Sequence, residues 1–427
     1  MSDLVVTYYA DDFTGATDVM EVLERSGVAT MLFLEPPSPQ RVAELDGIAA
    51  IGVAGISRTM TRREMDAELA PRLRRIRELR APLFHYKICS TFDSAPDRGS
   101  IGYAAELVRS TFPDQAIPLI VGVPQLGRHT AFGTLFATFD GTVHRLDRHP
   151  AMRDHPATPM READLRRILA DQTQLAVDLV DLRELDELEN RIAGAEALVL
   201  ADVADRGHQR TVGRALRAFA ASGSGAHPRA VIGSSGVEYA LAAATDTQLA
   251  FAPRSGTDRR PTLVVVGSGS PASLAQTEEA IAAGFASVPL SPARLIADPA
   301  VGDAAADRII GALGSGENVI VHLSGAGRAP VDGVALGHAL ARVVHRVATL
   351  TRIPRLVVAG GDTSGLVAAQ LGIEALRMTR LLAPGAPLCE AIAPGTAVDG
   401  LELCLKGGAI GARDFYLRVA AGDHATW

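Results

Sequence analysis

The sequence is expected to fold as two α/β domains with mostly parallel sheets and an active-site cleft between them. Three observations lead there. Apolar strand-like runs alternate with helical patterns along nearly the whole chain, and that alternation implies βαβ units. The length, 427 residues of which 47% are hydrophobic, is enough for more than one core. Between the two series, residues 250 to 261 read AFAPRSGTDRRP, with Pro, Gly, Ser and clustered charge but no apolar period, as an interdomain linker does. The expected division is 1–250, a linker at 251–261, and 262–427.

In the first half the elements run LVVTYY, the helix ATDVMEVLERSG, VATMLFL, GIAAIGVAGI, a helix from Arg62 to Leu79, FHYKI, a helix from Ile101, and IPLIVGV. LAVDLVDL, ALVLADV and RAVIGSSG complete that sheet. From Gly127 to Pro159 the chain reads as irregular; His129, His144, His149 and His155 have no metal-ligand spacing, which favours a structural or substrate-lid role. MREADLRRIL then starts a helix with acids in its first turn. The second series is TLVVVGSGS, ASVPL, NVIVHLSGAG, RLVVAGGDTSG and LELCLKGG.

Composition narrows the function. A net charge of -7 argues against a nucleic-acid partner, which needs a basic face. Cys89, Cys389 and Cys404 are far apart and form no metal or disulfide pattern, as in a reduced cytoplasmic protein. Met1 to Leu4 carries no basic n-region, and no apolar run approaches the ~20 residues that span a bilayer. No membrane partner is expected. Of 42 basic residues only Lys87 and Lys406 are lysines, so those positions read as requiring a compact ammonium that the planar fork of Arg cannot replace.

YYADDFTGATD, residues 8 to 18, sets two acids and a glycine-containing turn at the mouth of a strand. In an open α/β sheet that end of the strand faces ligand, which makes Asp11 and Asp12 site candidates. After another strand, YKICSTFDSAPDRGSIG brings together Lys87, Ser90, Thr91, Asp93 and Ser94. A cation among hydroxyls suits a polyhydroxy carboxylate, with Lys87, or Arg58 of GISRTMTRREM, on the carboxylate. The D-x-D-x-T spacing of aspartyl phosphatases is not met, since the two acids are adjacent.

The second half carries three glycine-rich strand exits. VVVGSGSPASLAQT puts Gly267 and Gly269 before a helix with Pro271 in its first turn, and Ser268 and Ser270 offer hydroxyls to a phosphate at that helix start. VVAGGDTSGLVAAQLG supplies Gly360, Gly361 and Asp362, with Thr363 or Ser364 as helix cap or phosphate donor. CLKGGAIG adds Lys406, Gly407 and Gly408. Together they suit a polyphosphate ligand. No GxxxxGK[ST] loop or protein-kinase signature is present, and the GxGxxA near-match lacks the ribose-binding acid expected about 20 residues on.

YADDFTGATD, YKICSTFDS, GSGSPASLAQT, GGDTSG and KGGAIGARDFY, in this order over nearly the whole chain, resemble the four-carbon acid sugar kinase family. The resemblance implies an ATP-dependent kinase of sugar acids such as threonate, erythronate or 3-oxo-tetronates, with the N-terminal domain binding the sugar acid and the C-terminal domain the nucleotide. It sets Asp11, Asp12, Arg58 and Lys87 to Ser94 at substrate positions, and Ser268, Gly360 to Thr363 and Gly408 at nucleotide positions. Asp362 stands where the family usually has Glu, and KGGAIG where it is nearer KSGNFG, which favours backbone contacts at Gly408. CSTFDS departs from the DSTLRG form of threonate kinases and suggests an oxo or branched acid sugar; the alternative to a four-carbon substrate is a branched or longer oxo acid sugar such as 3-oxo-isoapionate.

On this reading ATP and magnesium (Mg2+) lie on the second domain. Asp11 or Asp12 accepts or orients the hydroxyl proton, Lys87 clamps the substrate and Lys406 neutralises phosphate charge. The Mg2+ ligands are not legible in the sequence. The oligomeric state is open, with a homodimer as one candidate. Two other classes compete: an NAD(P)-dependent oxidoreductase, resting on the GxGxxA match, and a non-catalytic sugar-acid sensor, for which no DNA-binding helix pair is visible.

Overall fold

The computed structural model describes residues 4–112, 116–154, 158–245, 247–253, 258–324 and 332–423. His155, residues 254–257 of the expected linker, and the glycines of the NVIVHLSGAG exit lie outside the described residues. The chain divides into two compact units, Met1–Thr30 with Glu35–Ala250, and Met31–Leu34 with Phe251–Trp427.

The first unit begins with β1 (Val6–Ala10), buried at every residue. β2 (Thr30–Phe33) then gives its residues from Met31 on to the second unit. The parallel sheet of the first unit adds β3 (Ala50–Ala54), β4 (Leu83–Lys87) and β5 (Ile117–Ile120). Helices on both faces explain why such strands read as unbroken apolar runs. The helix Phe13–Arg25 follows β1 directly: Asp12 caps it by accepting from Gly15 N, and Ala16, Val19, Met20 and Leu23 form its buried stripe.

The stretch read as irregular is instead an antiparallel sheet of β6 (Arg128–Ala131), β7 (Thr134–Phe139) and β8 (Thr142–Arg145). Its two turns, Phe132–Gly133 and Asp140–Gly141, hold positive φ at both central residues, the geometry that matches strand twist in a two-residue hairpin. Buried Leu135 and Ala137 alternate with more exposed residues along β7. The expected helix there starts later, at Leu165, with Asp164 as its cap and no acid in its first turn.

β9 (Val177–Val180), β10 (Leu198–Ala201) and β11 (Arg229–Gly233) complete the first unit, in the order β3-β1-β4-β11-β5-β10-β9. Tyr9, Phe84, Tyr86 and Phe112 anchor its core, with the Phe84 and Phe112 rings stacked 4.2 Å apart.

The second unit holds β12 (Thr262–Val266), β13 (Ala286–Leu290), β14 (Val319–Leu323) and β15 (Arg355–Ala359). A hairpin of β16 (Ala375–Ala383) and β17 (Ala386–Ile392) precedes β18 (Glu402–Lys406). The order β13-β14-β12-β15-β18 is parallel throughout. β17 and β16 extend it antiparallel, and β2 pairs with β16 through Phe33 opposite Ala375 and Leu32 opposite Leu376. Arg355, fully buried under this sheet, is neutralised by Glu402 Oε2 at 2.8 Å from Nε and 2.6 Å from Nη2.

Candidate functional site

In the first unit the carboxyl ends of β1, β3, β4 and β11 gather the chemistry-bearing side chains. Asp11 is buried, and its carboxylate takes Arg58 Nη2 at 2.8 Å, Arg58 Nε at 3.2 Å and the Cys89 amide at 3.3 Å. Asp12, while capping its helix, takes the same Arg58 Nη2 at 2.8 Å. Burial pushes the Asp11 carboxyl upward, and the neighbouring Arg58 guanidinium pulls it back toward the ionised form. Arg58, expected on a substrate carboxylate, spends its fork on these two acids.

Lys87 ends β4 and is buried except for 3% of its surface. A Cβ added at Gly15 would stand 2.7 Å from its Nζ and 2.6 Å from Asp12 Oδ1, so this glycine lets the ammonium lie against the helix start. Beyond it, Thr91 Oγ1 donates to Asp93 Oδ1 at 2.8 Å and Ser94 Oγ accepts from Gln172 Nε2 at 2.8 Å. All three residues are buried, Thr91 bracing Asp93 and Gln172 bracing Ser94; Ser90 is half-buried.

The motif reading assigned no role to three neighbours. Asp18 lies one turn beyond Gly15 on the same helix face, half-buried, with Lys87, Ser235 and Glu238 around it. Ser235 follows β11, and its buried Oγ has no partner of ordinary hydrogen-bond geometry. Glu238 Oε1 lies 2.6 Å from His85 Nδ1, while His85 Nε2 meets the Gly233 carbonyl at 3.1 Å. The signals were present: Asp18 closes the YADDFTGATD motif, and GSSG after β11 is another glycine and serine strand exit.

In the second unit the three glycine-rich exits do come together, on the adjacent strands β12, β15 and β18. Ser268 N donates to Ala359 O at 3.1 Å, and Gly360 N to Lys406 O at 2.9 Å. Ser270 caps the helix Pro271–Ala282 and donates its hydroxyl to Gly408 O at 2.8 Å, as Ser273 does at 2.8 Å. A Cβ at Gly408 would meet Ser268 Oγ at 2.0 Å, and one at Gly267 would meet Thr363 Oγ1 at 2.2 Å. Neither Thr363 nor Ser364 caps the following helix Gly361–Gln370. Gly360 does, at φ 128°, without a side-chain bond. Asp362 is exposed in the first turn of that helix.

Lys406 does not project from its strand into solvent. It is fully buried, its ammonium donates to Gln276 Oε1 at 3.1 Å, and the rings of Phe415 and Tyr416 lie 5.5 and 5.6 Å away. Burial brings it down to about 8. Gln276 Nε2 meanwhile holds the carbonyls of Ile410, Gly411 and Ala412 at 2.8 to 3.0 Å, so one side chain ties the last glycine loop to Lys406. Among the described residues no cluster of three metal-ligating side chains occurs, and no helix is long and apolar enough to cross a membrane.

A family model for a sugar-binding N-terminal domain matches residues 6–241, and one for a nucleotide-binding C-terminal domain matches residues 263–416. The chain is 39% identical to a 3-oxo-isoapionate kinase of Paraburkholderia graminis, covering 98% of this chain and 94% of that one. It is 30% identical to a 3-oxo-tetronate kinase of Cupriavidus necator, covering 95% and 94%. Among solved structures, a protein of Salmonella typhimurium described as a putative tRNA synthase superposes with a TM-score of 0.78 at 24% identity, covering 98% of this chain and 99% of that one. A Haemophilus influenzae protein superposes at 0.70 and 24%, covering 97% and 98%. Those two likenesses establish the fold. With both halves matched and nearly the full length aligned to kinases, the chain belongs to the family of sugar-acid kinases built from a sugar-binding N-terminal domain and a nucleotide-binding C-terminal domain.

Proposed function

We propose that the chain transfers the γ-phosphoryl group of ATP to a hydroxyl of a small 3-oxo sugar acid, and that a branched acid of the 3-oxo-isoapionate type is preferred over a four-carbon 3-oxo-tetronate. The observation that carries this reading is the 39% identity, against 30% for the tetronate kinase, over essentially the same length. The reaction belongs to carbohydrate catabolism, and the charge and cysteine pattern suit a cytoplasmic enzyme.

Phosphoryl transfer asks mainly for positioning and charge neutralisation. The backbone at Gly267 to Ser270, Gly360 to Gly361 and Gly408 is suited to the phosphates: Gly267 and Gly408, where a Cβ would strike Thr363 Oγ1 and Ser268 Oγ, let the loops close on one another at the strand exits, and Gly269 leaves open space beside them. A magnesium ion bound with the nucleotide supplies charge neutralisation for the phosphates. It takes one or two carboxylates beside phosphate oxygens and water. Exposed Asp362 fits that donor set, which also accounts for an acid at a helix start facing anions. Because Arg58 is committed to Asp11 and Asp12, the sugar-acid carboxylate falls to Lys87. Lys406 acts on the phosphates only through the loop that Gln276 braces.

The test is ADP release by purified protein with ATP and magnesium, over a panel of 3-oxo-isoapionate, 3-oxo-tetronates, threonate and erythronate. A branched acid with kcat/KM at least tenfold above the four-carbon acids supports the reading. Preference for a four-carbon acid overturns the substrate, and silence across the panel overturns the function.

A further inference from the structure

We propose that Asp18, and neither Asp11 nor Asp12, is the base that takes the proton of the acceptor hydroxyl, with Ser235 orienting the same hydroxyl and Lys87 keeping the base ionised. This rests on the kinase reading given above. It starts from elimination among the acids of the first unit. Asp11 has its carboxylate filled by Arg58 and the Cys89 amide. Asp12 is held by the Gly15 amide and by Arg58. Asp93 accepts from Thr91, and Glu238 is paired with His85 through Oε1 while its unpartnered Oε2 is shut in, the residue being 2% exposed and closed to a substrate hydroxyl. A carboxylate so occupied is a poor proton acceptor, because each bond it already receives stabilises its ionised form.

Asp18 differs in what it receives, which among the described residues is the Ser235 hydroxyl and no guanidinium or backbone amide. It is half-buried, and among the described residues no cation stands within ion-pair distance of it, while Lys87 lies near enough to act through space. The groups facing it come from three elements: Asp12 at the start of its own helix, Lys87 at the end of β4, and Ser235, Glu238 and Tyr239 on the start of the helix Gly236–Ala243. Burial raises its carboxyl above the ordinary range, and Glu238 and Asp12 raise it further against the opposing pull of Lys87 and of the Ser235 hydroxyl. A raised carboxyl is a stronger base at neutral pH.

Ser235 is the second observation. Its Oγ is buried and lacks a partner of ordinary geometry, although it adjoins the Asp18 carboxyl. A buried hydroxyl left so costs free energy unless a ligand completes it. A substrate hydroxyl set between Ser235 and Asp18 would satisfy both.

In the step, the acceptor O–H bond breaks and its proton passes to a carboxylate oxygen of Asp18. The hydroxyl oxygen bonds to the γ-phosphorus, and the bond from that phosphorus to the β–γ bridging oxygen breaks, its electron pair leaving on ADP. ATP is the only co-reactant.

The experiment compares wild type, Asp18→Asn, Asp18→Glu and Asp12→Asn with ATP, magnesium and the best acid from the panel, between pH 4.5 and 8. Wild-type kcat/KM should fall on the acid side with an apparent pKa above that of an ordinary carboxylate. Asp18→Asn should lose about 100-fold in kcat, lose that acid limb, and still gain melting temperature when 3-oxo-isoapionate is added. Asp12→Asn should keep the limb. Should Asp18→Asn fold poorly, Asp18→Glu keeps the charge and should retain the limb at reduced kcat. An Asp18→Asn enzyme within about threefold of wild type, an unchanged acid limb, or a limb lost in Asp12→Asn instead would overturn the assignment. A wild type that turns over no acid brings down the kinase reading itself, and this proposal with it.

Discussion

Arg58 grips Asp11 side-on, Nη2 to Oδ1 at 2.8 Å and Nε to Oδ2 at 3.2 Å, across 47 residues of sequence. Both partners sit where the sheet ends, and Asp11 is buried. Removing one member of a buried pair leaves an uncompensated charge, which costs ~3–5 kcal/mol. Arg58→Ala should therefore destabilise the protein by roughly 3 kcal/mol at pH 7 in urea unfolding. The deficit should shrink at pH 5, because an unpaired buried Asp11 relieves itself by taking a proton. A loss equal at both pH values would mean that Arg58 acts through packing and not through its charge.

Gly15 tests how close Lys87 must lie to the helix start. Alanine there would put a Cβ 2.6 Å from Asp12 Oδ1 and 2.7 Å from Lys87 Nζ, and both atoms are tips of side chains that can swing away. The fold should survive within ~1 kcal/mol, since alanine is also the better helix former. Substrate handling should not: Gly15→Ala is expected to lower kcat/KM for the sugar acid at least tenfold with the KM for ATP nearly unchanged. Steady-state kinetics in both substrates separates these effects.

The sequence shows which side chains gather at the strand exits better than it shows what each of them touches there. Asp11, Asp12 and Lys87 could be placed at strand ends because strand exits follow from apolar runs, and glycine beside acid or serine marks each exit. That Arg58 would be consumed by Asp11 and Asp12 could not, because the pairing depends on β3 lying beside β1. Asp18 stands in a visible motif, but its surroundings could not be read, since they come from β4 and the helix after β11. The sheet β6-β7-β8 escaped for a local cause: the flanking strands RHTA and TVHR carry histidine and arginine and leave TLFATF as one short run, although Asp140–Gly141 is a hairpin turn signal. The hairpin of β16 and β17 carries Arg377, Thr379 and Arg380 within its first strand, which breaks the apolar run expected of a buried strand.

Gly408 is the sharpest steric test of the nucleotide loops. A Cβ there would stand 2.0 Å from Ser268 Oγ and 2.8 Å from Ser268 Cβ, so alanine must push Ser268 and the turn it belongs to. Gly408→Ala should raise the KM for ATP at least tenfold while leaving the sugar-acid KM within about threefold. Equal effects on both would mean that the loop does not serve the nucleotide alone.

Asp202 offers a pH test away from both sites. It is fully buried at the end of β10, accepts from Gly133 N at 3.1 Å, and burial lifts its carboxyl to about 6. A carboxyl raised on folding binds more protons folded than unfolded, so its contribution to stability is present below about pH 4 and lost as pH rises through about 6. Asp202→Asn should therefore gain on wild type by roughly 1 to 2 kcal/mol between pH 4 and 7. Parallel stability curves for the two proteins would sink this.

Lys406 should show the opposite slope. Its ordinary value is 10.5 and burial brings it to about 8, so between those limits the unfolded chain holds a proton that the folded one has released. Stability from this group then rises with pH from about 8 to about 10.5, and at neutral pH the fold carries the cost of charging a buried amine, roughly 3 kcal/mol at 1.36 kcal/mol per pH unit. Replacement by methionine also leaves Gln276 Oε1 without its donor, so absolute stability at one pH is a poor measure. The difference between wild type and Lys406→Met, followed from pH 7.5 to 10, isolates the titration, because the raised Cys404 and Tyr416 groups are common to both proteins. Wild type should gain on the variant across that range. A flat difference would mean that the ammonium stays charged in the fold, held by Gln276 and the two rings more strongly than burial opposes it.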